Sequence, residues 1–151
     1  MMDSIELTLC QMQGHLFELS AEEGFESETF VKTFMNSATA EDLDKPFHHM
    51  QWAGEKYLLS RLKEENANLL RKGVTLDNET LYWSGYLYRA WHFYTGESSR
   101  EIYRQAPVGT MRSVYLPYHT MSVEAAIDRL KETFRDFHKS GRRSGADLSL
   151  V

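Results

Sequence analysis

At 151 residues and 17.6 kDa, with 42% hydrophobic residues, the chain suits one domain with a buried core and is too apolar for wholesale disorder. Its formal charge of −5 and pI near 5.7 argue against a generally basic nucleic-acid surface. No apolar run is long enough to cross a bilayer, and the amino end MMDSIELTLC lacks the pattern of a secretory signal.

The first helix is expected from about Ser4 to Glu23, where Ile5, Leu9, Met12, Leu16 and Leu19 recur at the helical period. Asp3 with Glu6 forms a capping box, and Gly24 closes the helix. Cys10, the single cysteine, forms no internal disulfide and suits a reducing cytoplasm; on this helix it reads as a small buried hydrophobe. A short helix follows from Ser27 around Phe30, Val31 and Phe34, then a small turn after Thr39. Pro46 suits the first turn of the next helix, which carries Phe47, Met50, Tyr57, Leu58 and Leu62. Asn66 and Asn68 mark where it frays, and Gly73 ends it.

Asp77 caps the following helix, which runs to Gly96 and holds the aromatic stretch YLYRAWHFY. Ser98 and Glu101 box the start of SSREIYRQ, and VGTMRSVYL is a further short helix that Pro117 bends or ends. Ser122 caps the last helix, with Val123, Ala126, Ile127, Leu130, Phe134 and Phe137 on one face. No segment alternates at period two. The expectation is an all-α, single-domain bundle of about seven helices over residues 1–139, with 140–151 a mobile tail.

The helix over 77–95 carries aromatics on more than one face, the mark of a central helix, so Trp83, Leu87 and Trp91 are expected to be buried. Tyr88, Arg89 and His92 lie on its less apolar side, and Tyr103 and Arg104 can approach them around the Gly96 turn. Aromatics and arginine are enriched at interface hot spots, so these five form the expected partner-binding surface.

Catalytic signals are sparse. None of the six histidines (His15, His48, His49, His92, His119, His138) has a second at the i, i+3 or i, i+4 spacing of a helical metal site, so no metal is expected. A phosphate-binding glycine loop, a G-x-S-x-G elbow and H-E-x-x-H are all missing, and no cofactor is implied. Arg112 and His119 loosely resemble the arginine–histidine signature of the helical HEPN ribonucleases; in that reading the two act on an RNA phosphate. REIYRQAPVGTMRSVYL has the outline of a helix-turn-helix, but Tyr103, Pro107 and Ser113 depart from its packing.

TGESSREIYRQAPV and VYLPYHTMSVEAAIDRL, within Tyr86 to Leu130, resemble a small bacterial family of helical domains found beside or fused to ADP-ribosyltransferase-like toxin domains. The resemblance implies a binding component, not an enzyme. The leading expectation is therefore a cytoplasmic, non-enzymatic protein that binds another protein, such as the toxin of a toxin–antitoxin-like cassette, with self-association left open. The alternatives are a HEPN-like ribonuclease using Arg112 and His119, and a DNA-binding regulator.

Overall fold

The computed structural model describes residues 2–46, 50 and 52–143, with side chains as far as Lys139. Phe47, His48 and His49, and the tail beyond Arg143, lie outside the described residues. Eight helices are found among the described residues: α1 (Ser4–Glu22), α2 (Ser27–Met35), α3 (Ala38–Asp44), α4 (Gly54–Asn66), α5 (Asn78–Thr95), α6 (Ser99–Gln105), α7 (Val108–Tyr118) and α8 (Val123–Arg143). The fold is all-α, as the periodicity predicts, with one helix more than expected.

Local chemistry sets most of the boundaries. Asp3 accepts from the Glu6 amide at 2.8 Å and the Glu6 carboxylate accepts from the Asp3 amide at 3.0 Å. The same reciprocal cap joins Ser98 and Glu101 at the start of α6, and Asp77 caps α5. Gly24 and Gly96 take φ near +80° just past α1 and α5, a conformation that disfavours a side chain.

Four boundaries differ from expectation. α4 begins at Gly54 instead of at Pro46, and it stops at Asn66 instead of reaching Gly73. Beyond it the chain runs extended beside the α1–α2 turn, where Phe25 and Lys72 form an antiparallel bridge. The Glu26 amide donates to Arg71 O at 2.8 Å and the Ser27 amide to Val74 O at 3.0 Å. These bonds replace those a longer helix would have made. α7 continues through Pro117 to Tyr118; a proline in the last turn removes only the one N–H that would reach back to Ser113, an exposed residue. α8 runs four residues into the expected tail.

α5 sits at the centre, against α1 along its length and against α6, α7 and α8 on its other sides. The α1–α5 crossing is backbone to backbone. A Cβ on Gly85 would lie 2.6 Å from the Gln13 carbonyl oxygen, and one on Gly14 would lie 2.7 Å from the Tyr82 ring. Two glycines therefore let the pair approach to a distance no side chain permits. Around the crossing, Phe17 meets Phe30, Phe34 and Tyr88 edge-on with centroids 5.7–6.2 Å apart.

α1 is buried over a broader arc than one stripe: Gln13, Phe17 and Ser20 are sealed, whereas Ile5 is half exposed. Its flanks meet α2 and α4 as well as α5, which is why. On α4, Leu58 and Leu62 are buried as expected but Tyr57 is exposed. On α8 the apolar stripe outruns the body of the protein: Ala126, Ile127 and Leu130 are buried, and Phe137 is exposed. No described helix is long and apolar enough to cross a membrane.

Candidate functional site

The polar residues of α5 that the sequence singles out point inward. Arg89 is 1% exposed, a fully buried guanidinium. Its Nε donates to Gln13 Oε1 at 2.8 Å, one terminal nitrogen to Asp44 Oδ1 at 2.6 Å, and the other to Ser99 Oγ at 3.0 Å. Asp44 also accepts from the Ser99 amide at 2.9 Å and the Ser99 hydroxyl at 2.7 Å. Gln13 Nε2 donates to Gly85 O at 3.0 Å. One arginine thus ties α1, the end of α3 and the start of α6 to α5. A buried charge with a partner on each of its three nitrogens is satisfied structurally, and at 1% exposure it is closed to a ligand.

A second cluster lies around Glu97, in the turn after α5. Its carboxylate accepts from Trp91 Nε1 at 2.9 Å, Lys131 Nζ at 2.6 Å and Gln105 Nε2 at 2.5 Å. Partial burial raises the acid's pKa, but the hydrogen bonds from Lys131, Trp91 and Gln105 outweigh it and hold the group at about 2. The cluster binds α8 to the central helix.

These two networks correct the expected partner surface. Tyr88 is also sealed, at 1% exposure, with its hydroxyl donating to Ala106 O at 2.5 Å. His92 is mostly buried, with Nδ1 2.7 Å from Glu97 O. Tyr103 is part-buried, edge-on to Tyr88, and only Arg104 is exposed. The five residues do not form a surface, because helical position says which side of α5 they share but not that α3 and α6 cover it. Leu87 and Trp91 are buried as expected, and Trp83 is part-buried.

Arg112 and His119 do not converge. They stand seven residues apart on α7 and its C-cap, roughly 10 Å along the axis, and line separate cavities. His119 hydrogen-bonds the backbone as expected of a helix-end histidine, with Nδ1 2.8 Å from Tyr115 O, but it is exposed rather than sealed. The geometry for a shared phosphate, the requirement of the ribonuclease reading, is missing. As a DNA-reading helix α7 is poor too, because Arg112 is its one cation. Cys10 is buried, and desolvation pushes its thiol up to about 12, the state of an inert core cysteine. Among the described residues no cluster of three or more histidine, cysteine or acidic side chains could hold a metal.

The larger cavity, about 1110 Å³, lies between α2, the first turns of α7 and the extended segment after α4. It is broad and lined mostly by polar side chains, and one charge pair closes within it: Arg71 donates to Glu26 at 3.0 Å, and hydrogen bonds from Thr29 and Arg71 hold the Glu26 carboxyl below its ordinary range.

The smaller, about 450 Å³, is built differently. Glu79, Tyr82, Trp83, Tyr86 and Leu87 fall at i, i+3, i+4, i+7 and i+8 on α5 and form its floor. Tyr115 and His119, one turn apart on α7, form one wall, their rings stacked 4.4 Å apart at 11°. Trp83 meets Tyr115 edge-on at 5.6 Å, and Tyr82 lies 6.1 Å from Tyr86. Met121, Val123 and Glu18 of α1 complete the lining. None of the lining residues is lysine or arginine. Burial, then Glu18 for Tyr82 and Glu79 for Tyr115, raises these phenol pKa values, so the rings stay neutral. An aromatic floor with neutral hydroxyls and two carboxylates is a lining suited to binding.

The signal for this cleft was in the sequence, as the i, i+1, i+4 cluster of Tyr82, Trp83 and Tyr86 facing an i, i+4 aromatic pair. The denser run further along α5 masked it. Comparisons of the chain with protein-family models, with curated proteins and with solved structures found no match.

Proposed function

We propose that this chain is a non-catalytic binding protein whose recognition site is the aromatic cleft between α5 and α7, and that its partner is another protein. The carrying observation is the cleft itself: part-buried aromatic side chains, left uncovered by the fold, beside a floor rigidly held by the central helix. Aromatic anchors in a partly desolvated pocket are the residues from which binding energy is made. The catalytic alternative has little support, since the strongest charged groups, Arg89, Asp44, Glu97 and Lys131, are spent on holding helices together. The acidic balance of the chain favours encounter with a basic partner. A cytoplasmic location agrees with a lone buried thiol. The finer reading, an antitoxin or accessory component acting on a toxin, rests on the resemblance of residues 86–130.

The test is photo-crosslinking in the native cell from a benzophenone side chain at position 116. Leu116 is 76% exposed on α7, between Tyr115 and His119. A control probe replaces Tyr57, exposed on α4. Capture of one protein from position 116, lost with Tyr115→Leu, is expected. Capture from position 57 alone, or capture indifferent to Tyr115→Leu, overturns the reading.

A further inference from the structure

The cleft has a chemistry more specific than apolar. Five aromatic rings line it, Tyr82, Trp83 and Tyr86 on the floor and Tyr115 with His119 on the wall. Ring faces attract cations, and no lysine or arginine lines the space to compete. The two carboxylates of the lining add negative potential, and each gives one oxygen to the protein: Glu79 accepts from the Tyr115 hydroxyl at 3.4 Å, and Glu18 pairs with His15 Nδ1 at 3.0 Å.

The lining is dominated by rings and not by carboxylates, and that decides which cation fits. A guanidinium seeks a bidentate carboxylate, and a plain ammonium is strongly hydrated and must be given acceptors when it loses water. A trimethylammonium group donates no hydrogen bonds and needs only ring faces and a long-range field. Resting on the cleft as the recognition site, we infer that the group it binds is a trimethylammonium cation, carried on the trimethylated lysine of a partner. A free quaternary amine such as choline is the same chemistry from another source.

The experiment is calorimetric titration of the full chain with four compounds. They are acetyl-trimethyllysine amide, its neutral carbon isostere with a tert-butyl end, the unmethylated lysine compound, and choline. The trimethyllysine compound is expected to bind roughly tenfold or more tightly than the isostere. Tyr115→Leu abolishes this binding and Tyr115→Phe, which keeps the ring, preserves it; the circular dichroism of each variant verifies its fold. Choline binding more tightly than the trimethyllysine compound, with the same dependence on Tyr115, supports the cation and assigns it to a free ligand, and the crosslinking above then captures no protein. Equal binding of the neutral isostere, or no binding of any of the four, overturns the inference. A protein captured at position 116 in that event leaves the cleft standing as a recognition site for another group; an empty crosslink as well removes both.

Discussion

The two halves of α5 use the same kinds of residue for opposite ends. Toward its C-terminus Tyr88, Arg89 and Trp91 are sealed, and their polar atoms are bonded to Ala106, Asp44, Gln13, Ser99 and Glu97. Toward its N-terminus Tyr82, Trp83 and Tyr86 stay partly open in a cleft. What separates them is cover. The end of α3 and the start of α6 bond to the C-terminal half, whereas α7 meets the N-terminal half at Tyr115, which touches Trp83 edge-on and Glu79 by a hydrogen bond. Aromatic density along a helix is therefore a poor guide to its function; the packing of distant segments decides which rings are core and which are surface.

The largest effect expected from breaking this contrast is at Arg89. Arg89→Ala leaves the Asp44 carboxylate buried without its main partner, a loss of about 3–5 kcal/mol, read as a lower midpoint in chemical denaturation. Gly85→Ala acts on the α1–α5 seam: a methyl there meets the Gln13 carbonyl at 2.6 Å, so the helices must separate, at a cost of about 1–3 kcal/mol by the same measurement.

The Glu97 cluster gives a pH signature. Its folded pKa, about 2, lies below the ordinary 4.5, so the carboxylate form is the one the fold favours. That stability is fully present above the ordinary value and is lost as the pH falls through the window from 4.5 to 2. Discounted for partial exposure, it amounts to about 1–2 kcal/mol. Glu97→Gln is expected to flatten the fall in melting temperature across that window. An unchanged acid profile contradicts the role given to Lys131 and Gln105.

The smallest effect sharpens the contrast from the other side. Tyr86→Leu and Tyr115→Leu, both in the open cleft, are expected to change stability by less than about 1 kcal/mol, because part-exposed positions lose little burial. A loss as large as that of Arg89→Ala makes the cleft rings core and not surface.

Much of the fold was legible because its signals are local. The reciprocal caps of Asp3 with Glu6 and Ser98 with Glu101, and the glycines after α1 and α5, each act within a few residues. The end of α4 was only half legible: Asn66 marked it, but the bonds that draw residues 71–76 away come from the α1–α2 turn. The site was hidden for the same reason. Arg89 looked like a surface anchor because Gln13 and Asp44, which hold it inside, lie 76 and 45 residues away. Tyr115 and His119 gain meaning only once α7 is placed across from Tyr82 and Tyr86.

The most direct test of the central claim, that folding and recognition occupy different halves of α5, is a proton–nitrogen correlation spectrum of the labelled chain titrated with the trimethyllysine compound. Shifts are predicted at Tyr82, Trp83 and Tyr86, at Tyr115 and Leu116 and at Tyr118 to Met121, with the Arg89 side-chain Nε resonance unmoved. Shifts centred on Tyr88, Arg89, Tyr103 and Arg104, with the cleft silent, would contradict it.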